Sequence, residues 1–262
     1  MATIPAESKL VRISLEIEAA VARIELRNPP LNIIDIAMME ELWRTLAELD
    51  QRKDIPVIVI GGQGKAFSAG VDVAAHTLDK VEEMLTKFHS VIRSLILTKK
   101  VTIAVVHGHC LGGGAELAMV CDIVYATPDS QWGFPEIKLG CYPPVACTAL
   151  AALLGQKRAA EMILTGRTIS GEEAAGGGLA TRSVSESELS KSVDDCVQSL
   201  LRLSPAALAV AKKASYAWDS MHFDKGLARS ERIYREDLMK TADAQEGIRA
   251  FMEKRQPKWT GN

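Results

Sequence analysis

The sequence of 262 residues lacks several features that mark specialised classes of protein. It has no run of about 18 uncharged apolar residues, which a membrane-spanning helix needs. Its five cysteines form no CxxC pair, so neither a zinc site nor a disulfide framework is predicted. The formal net charge of −2 gives no general attraction to nucleic acids or anionic membranes. Because the first residues also lack a signal-like apolar stretch, we expect a cytoplasmic protein with reduced thiols.

Two phosphate-binding motifs are also missing. Residues 61–65 (GGQGK) continue with Ala66 and do not fit a P-loop. Glycines 112–114 do not fit the G-x-G-x-x-G dinucleotide fingerprint either. The sequence therefore predicts no binding site for a nucleoside triphosphate or a nicotinamide cofactor. No metal site is predicted either.

Apolar residues predict alternating strands and helices along most of the chain. Residues 10–16 and 20–26 alternate apolar and polar positions, which predicts a hairpin, and Asp35 can cap the helix that follows. Three short apolar runs predict buried strands: 56–60, 101–106 and 122–126. This order indicates an α/β fold with mostly parallel strands.

Strand signals stop after about residue 196. Ser204 and Pro205 suit the start of a helix, and Asp243 with Glu246 has the spacing of a capping box for a last one. The chain is therefore divided into residues 1–195 and a helical region, residues 196–262.

Two glutamates stand beside turns that glycine or proline marks. Glu116 follows glycines 112–114, and Glu136 follows Pro135. Glycines let the backbone approach a ligand closely, and free N–H groups at the start of a helix can bind negative charge. Two acids beside such donors suit a reaction that develops negative charge on an oxygen while protons move nearby. This combination predicts an enzyme.

Four segments in the same order resemble the crotonase, or enoyl-CoA hydratase/isomerase, superfamily. They are residues 66–72 (AFSAGVD), 111–118 (LGGGAELA), 135–140 (PEIKLG) and 251–255 (FMEKR). The resemblance covers nearly the whole chain. It implies a ββα spiral core that binds acyl-CoA and catalyses the reaction over residues 1–195, with a helical trimerisation region over 196–262. Coenzyme A would enter as part of the substrate, so no separate cofactor is implied.

The resemblance also assigns roles at the reacting centre. The backbone N–H groups of Val71 and Gly113 match two donors that bind the thioester oxygen. Losing one such donor typically costs about 10²–10³ in rate. Glu116 and Glu136 match the two acids that exchange protons with water and with carbon. Isomerases of this family often keep only one acid, so both together favour hydration by a carbon–oxygen lyase.

Further residues are implied to contact the substrate or its coenzyme A. They are Ala69, Asp72, Leu111, Gly112, Pro135, Tyr142, Pro144, Phe251 and Lys254. Phe251 and Lys254 match positions that reach the coenzyme A of a neighbouring subunit. That contact requires the homotrimer or hexamer that the family usually forms.

The chain departs from common hydratases after Gly140. Their glycine-rich segment is replaced by residues 141–147 (CYPPVAC), and Pro144 removes an N–H that could hold the reacting water. With residues 32–35 (NIID) and with His76, this resembles the branch that hydrates cyclic dienoyl-CoA thioesters in anaerobic aromatic degradation. The favoured substrate is therefore cyclohexa-1,5-diene-1-carbonyl-CoA, with a linear 2-enoyl-CoA as the fallback. His89 carries no signal.

Two other functions stay open. The same scaffold supports enoyl-CoA isomerases and acyl-CoA hydrolases, so the fold by itself does not select the reaction. A candidate of a different class is a protein that binds RNA or serves as an assembly subunit, and the intact acid pair disfavours the purely structural role. The RNA-binding relatives rely on a lysine-rich helix. Residues 79–97 carry mixed charges instead, which is typical of a solvated face. No nucleic-acid or membrane partner is predicted.

Overall fold

The computed structural model describes residues 11–215 and 220–261, and for residues 220–222 it describes the backbone alone. The strands are β1 (Ile13–Glu18), β2 (Val21–Leu26), β3 (Val57–Gly62), β4 (Ala66–Ser68), β5 (Val101–Val106), β6 (His109–Leu111), β7 (Ile123–Ala126), β8 (Gln131–Gly133), β9 (Thr168–Ser170) and β10 (Arg182–Ser183). The helices are α1 (Ile36–Gln51), α2 (Val81–Leu97), α3 (Gly113–Met119), α4 (Pro144–Leu154), α5 (Gln156–Thr165), α6 (Gly171–Gly177), α7 (Glu186–Leu201), α8 (Pro205–Ser215), α9 (Ser220–Glu236) and α10 (Ala242–Met252). Short 3-10 helices cover Val73–His76, Pro135–Leu139 and Leu238–Lys240.

A six-stranded sheet forms the centre of the molecule, in the order β1-β2-β3-β5-β7-β10. β1 and β2 form the predicted antiparallel hairpin, and the remaining strands pair in parallel. Successive residues of β3 face opposite sides of the sheet, as the period of a strand requires. Ile58 and Ile60 pack in the core with α1 and α2, whereas Val57 and Val59 pack in a second core with α7. The sheet is therefore covered on both faces.

A second sheet follows the first, in the order β4-β6-β8-β9. Each of its first three strands comes directly after a strand of the central sheet and is followed by a helix. This order, β3-β4-α2, β5-β6-α3 and β7-β8-α4, is a repeated strand–strand–helix unit. In the first and third units a 3-10 helix, Val73–His76 or Pro135–Leu139, lies between the second strand and the α-helix.

The capping predictions have different outcomes. Asp35 caps α1, because its carboxylate accepts a hydrogen bond from Met38 N at 2.9 Å. The capping box predicted for the last helix is wrong, since Thr241 caps α10 and accepts from Ala244 N. Asp243 instead accepts hydrogen bonds from the backbone N–H groups of residues 260 and 261.

The C-terminal part is helical, as predicted, and shares the main core. Phe223 and Leu227 of α9 and Ile248 of α10 are buried in the same cluster as the α1 and α2 residues. The predicted division after residue 195 falls inside α7, whose Val193 and Val197 pack on the central sheet. The division into two regions stays a prediction. Of the helices within the described ranges, none is both long and apolar enough to cross a bilayer.

Candidate active site

Two backbone amides lie side by side where β4 and β6 end. Gly70 has a φ of 110° and Gly112 a φ of 52°, and both conformations favour glycine. A Cβ atom built on Gly113 would lie 3.4 Å from Val71 N, so the two amides are neighbours. Neither the Val71 nor the Gly113 N–H donates a hydrogen bond to any described residue. Both donors are therefore available to a ligand.

The turn that carries Val71 is held by a neighbouring segment. Ile34 N donates to Gly70 O at 2.9 Å, and Asp72 N donates to Ile34 O at 3.1 Å. Because successive amides of extended backbone point to opposite sides, these bonds direct the Val71 N–H away from Ile34. Asn32 is fully buried nearby, with a φ of 51°. The 32–35 segment singled out in the sequence therefore supports this turn.

The two glutamates reach the turn from different elements. Glu116 lies in the first turn of α3 and is 3% exposed. Its Oε1 accepts hydrogen bonds from Val145 N and Ala146 N at the start of α4, both at 2.9 Å. Glu136 lies in the second 3-10 helix. A Cβ atom on Gly112 would lie 2.5 Å from Glu136 Oε1, so this carboxyl rests directly against the glycine turn.

Burial raises the pKa of both carboxyls. It raises the pKa of Glu116 to about 7, and the hydrogen bonds from Ala146 and Val145 act in the opposite direction. For Glu136, burial and then the charge of Glu116 raise the pKa to about 8. Glu136 Oε2 is buried and has no hydrogen-bond partner among the described residues. Burial therefore favours the protonated form of both acids, and the two backbone hydrogen bonds favour the ionised form of Glu116 relative to Glu136.

A cavity with about 610 Å³ of empty space, its opening to solvent included, joins these groups. Nine of the predicted site residues line it: Ala69, Val71, Gly112, Gly113, Glu116, Pro135, Glu136, Tyr142 and Pro144. His76 lines it too, with its ring Nδ1 3.0 Å from Asp72 O. Because a carbonyl oxygen only accepts, Nδ1 carries the proton. The structure thus brings the acids and the free amides to one enclosed space.

Four predicted contact residues do not line this cavity. Asp72 caps the first 3-10 helix, because its carboxylate accepts a hydrogen bond from Ala74 N. Leu111 packs against Gly70 through its carbonyl oxygen, which would lie 3.0 Å from a Cβ atom built on that glycine. Phe251 and Lys254 are exposed at the end of α10. Their predicted contact is with coenzyme A on a neighbouring subunit, so their role stays a prediction.

Sequence reasoning missed the side of the cavity that α2 and α9 form. Met84, Leu85, Phe88 and His89 come from α2, and Tyr234 comes from α9. His89 is fully buried, although its position in the sequence carried no signal. Its position on the otherwise apolar face of a helix is the signal that could have found it.

Comparison with known proteins identifies the class to which this fold and site belong. The model of the family described as enoyl-CoA hydratase/isomerase matches residues 16–262. The solved structure of an enoyl-CoA hydratase from Mycobacterium avium subsp. paratuberculosis superposes with a TM-score of 0.87 at 26% identity. The match covers 96% of this chain and 100% of that one.

Two curated relatives are similar along nearly their full length. A cyclohexa-1,5-dienecarbonyl-CoA hydratase of Thauera aromatica is 31% identical over 252 residues, which cover 96% of this chain and 97% of the relative. A probable enoyl-CoA hydratase of Mycobacterium tuberculosis is 34% identical over 251 residues, with 95% and 97% covered. The chain belongs to the enoyl-CoA hydratase/isomerase family. The predicted family and α/β fold are confirmed, as is the prediction of an enzyme of the carbon–oxygen lyase class.

Proposed function

We propose that this chain adds water reversibly to a carbon–carbon double bond conjugated with the carbonyl of an acyl-CoA thioester. One observation carries the proposal: two backbone N–H groups without a hydrogen-bond partner among the described residues and two buried carboxyls line the same cavity. An enolate forms when water adds to the β-carbon, and its negative charge falls on the thioester oxygen. In this proposal the N–H groups of Val71 and Gly113 bind that oxygen. Preset donors of this kind stabilise charge that appears only in the transition state.

The surroundings of the acids support different roles for them. Glu116 accepts two backbone hydrogen bonds, which favour its carboxylate, so it takes the proton from the attacking water. Burial and the charge of Glu116 raise the pKa of Glu136, and its buried Oε2 accepts no hydrogen bond from the described residues, so Glu136 delivers the proton to carbon. That carbon is the α-carbon of a linear 2-enoyl-CoA, or the far end of the diene when water adds to the cyclic substrate in a 1,4 sense. The reverse reaction exchanges these roles. Pro144 lacks an N–H, but the next two amides of α4 hold the Glu116 carboxylate.

The favoured substrate is cyclohexa-1,5-diene-1-carbonyl-CoA, and a linear 2-enoyl-CoA is the alternative. The similarity to the Thauera aromatica hydratase supports the cyclic substrate, and that to the probable enoyl-CoA hydratases supports the linear one. Pro144 and His76, which depart from the common pattern, both line the cavity. They are therefore positioned to adapt its shape to the acyl group. This assignment places the reaction in anaerobic aromatic degradation.

The assembly we propose is a homotrimer, or a hexamer made of two trimers. Phe251 is 54% exposed and Met252 is 56% exposed, so the end of α10 presents apolar surface. A neighbouring subunit would cover this surface and receive Phe251 and Lys254 beside its coenzyme A.

Replacing either acid by glutamine tests the proposed chemistry. The variants Glu116→Gln and Glu136→Gln are expected to lower turnover by at least about a hundredfold, because each loses a proton-transfer group and keeps its shape. Turnover is measured with crotonyl-CoA and with cyclohexa-1,5-diene-1-carbonyl-CoA, as loss of the conjugated absorbance. The matched control is Glu48→Gln, at an exposed position of α1, which is expected to retain full activity.

Three results would reject parts of this proposal. If no conjugated acyl-CoA is hydrated at high enzyme concentration, the hydratase assignment is wrong. Deuterium incorporation without net addition of water would indicate an isomerase, and release of free coenzyme A would indicate a hydrolase. A mild effect of both glutamine variants would mean that other residues are the acids.

A further inference from the structure

One wall of the cavity contains a histidine, His89, whose ring is held in place by a hydrogen bond to a carboxylate outside the cavity lining. His89 is 0% exposed, and its Nδ1 lies 2.7 Å from Glu231 Oε1 on α9. Arg93 also binds this carboxylate, with its Nη2 3.0 Å from Glu231 Oε1, so Glu231 is held ionised between two partners. A carboxylate only accepts hydrogen bonds, so the proton of the neutral ring resides on Nδ1. Nε2 is then an acceptor, and it has no partner among the described residues.

A tyrosine on α9 adds a second polar atom to the same wall. Tyr234 lines the cavity, and its buried hydroxyl also has no hydrogen-bond partner in the described part of the chain. Residues 231 and 234 are three apart on α9 and therefore lie on one face of that helix. Glu231 holds His89, so the imidazole and the phenol both belong to the cavity wall that α2 and α9 form. The thiol of Cys141, which also lines the cavity, donates to Leu139 O at 3.7 Å. Burial, and then the nearness of this thiol, raise the pKa of the Tyr234 hydroxyl, although the thiol and the hydroxyl do not form a hydrogen bond of normal length.

Buried polar atoms without partners are unfavourable unless a ligand or water satisfies them. An acyl group made only of hydrocarbon would cover Nε2 of His89 and the hydroxyl of Tyr234 and leave both unsatisfied. Nε2 accepts a hydrogen bond, and the tyrosine hydroxyl can donate one. A hydroxyl is the smallest neutral substituent that both donates and accepts a hydrogen bond. An anionic substituent would instead enter a cavity that already holds two carboxyls.

We propose that His89 and Tyr234 form a subsite for a hydroxyl group on the acyl part of the substrate, beyond the reacting double bond. This inference rests on the proposed function, because it specifies the acyl-CoA that the same cavity accepts. Glu231 and Arg93 act as positioning residues, since they fix the ring tautomer without touching the substrate. The enzyme then selects hydroxylated over purely hydrocarbon acyl groups, on a chain or on a ring.

Pairs of thioesters that differ only by hydroxyl against methyl test the subsite. Each pair is a 2-enoyl-CoA with either group at the same acyl position, and positions four, five and six are compared. The best pair is expected to show kcat/KM at least about tenfold higher for the hydroxyl member, because a site built to bind a hydroxyl rejects an analogue that lacks it. A ratio of one or below at every position would overturn the inference.

Variants locate the source of that ratio. Tyr234→Phe and His89→Leu are expected to bring it close to one, mainly by raising KM for the hydroxyl member. The variant His89→Gln keeps a hydrogen-bond acceptor, so it is expected to retain part of the preference for the hydroxyl member. The matched control, Tyr125→Phe, changes a buried tyrosine of the second core and is expected to keep the parent's ratio. A ratio that survives both Tyr234→Phe and His89→Leu, or a His89→Leu variant that lowers kcat equally for both members, would also overturn the inference.

Binding of saturated thioesters separates this inference from the proposed reaction. The dissociation constants of hydroxyacyl-CoA and of the matching methyl-bearing acyl-CoA are measured by calorimetry with the intact protein. Tighter binding of the hydroxyl member supports the subsite even if no substrate is hydrated, in which case the proposed reaction fails by itself. Equal binding, with hydration of crotonyl-CoA intact, removes the subsite and leaves the proposed reaction standing.

Discussion

Glu116 and Glu136 share one cavity, yet their carboxyls have different surroundings. Two amides of α4 support the charge of Glu116, whereas Glu136 rests against Gly112 and has one oxygen without a partner. Each pKa is raised by burial, and the charge of Glu116 raises that of Glu136 further. Neighbouring acids with separated pKa values are what an acid/base pair requires near neutral pH.

The raised pKa of Glu136 predicts how the free energy of unfolding changes with pH. Its pKa is about 8 in the folded chain, above the ordinary value of about 4.3 for an unfolded glutamate. Between these values the folded chain holds a proton that the unfolded chain releases, so this group's contribution to the free energy of unfolding falls as pH rises. The glutamine of the Glu136→Gln variant does not titrate, so its free energy of unfolding lacks this fall with rising pH. The variant's stability relative to the parent is therefore expected to increase by more than about 1 kcal/mol between pH 5 and pH 8.

Denaturant unfolding at both pH values measures this difference. Glu48→Gln serves as the control, because its exposed side chain is expected to give the same difference at each pH. If the difference for Glu136→Gln does not change with pH, the carboxyl is ionised in the folded chain and cannot be the proton donor.

Among the elements, the start of α3 carries the tightest steric requirement of the site. Its first residue, Gly113, supplies a free amide, and the turn before it brings Gly112 against Glu136. A side chain on Gly113 would lie 2.6 Å from Val71 Cγ2 and 3.1 Å from Phe88 Cζ. The first contact is shorter than real Cβ atoms make and the second is tight, so Val71, whose N–H is the other donor and lies 3.4 Å from this Cβ atom, would have to shift.

Gly113→Ala is therefore expected to lower kcat by at least about a hundredfold, since displaced amides no longer bind the thioester oxygen well. Steady-state kinetics measure the loss, and circular dichroism checks that the fold is kept. Gly176→Ala in α6 is the matched control, because its Cβ meets no atom within 4 Å. Full activity of Gly113→Ala would show that this amide has no part in the reaction.

For the molecule as a whole, the assembly decides whether α10 completes a site. The proposed trimer or hexamer predicts a particle of three or six times the mass of one chain in light scattering after gel filtration. Phe251→Glu places a charge on the surface that is expected to be covered, so it should shift the particle towards the monomer and raise KM for acyl-CoA. The control Trp43→Glu alters an apolar residue of similar exposure, 49%, on α1. A monomeric parent chain would remove the proposed role of Phe251 and Lys254.

Much of this protein could be predicted from its sequence, because the relevant signals are local. The hairpin, the buried strands and the cap at Asp35 follow from the period of apolar residues and from backbone chemistry. The four motif segments identified the family and pointed to Glu116 and Glu136. This was possible because each glutamate lies within a few residues of the glycine or proline that marks its turn, so a short stretch of sequence contains both.

Tertiary structure alone decided what meets across the cavity. His89 and Tyr234 lie far apart in sequence, and only the packing of α9 against α2 and α4 brings them to one wall. The raised pKa of Glu136 likewise depends on burial by several elements, which a linear pattern does not encode. The sequence determined the reaction class through short-range motifs. The walls of the cavity are set by long-range packing, because the side chains that line them come from separate helices.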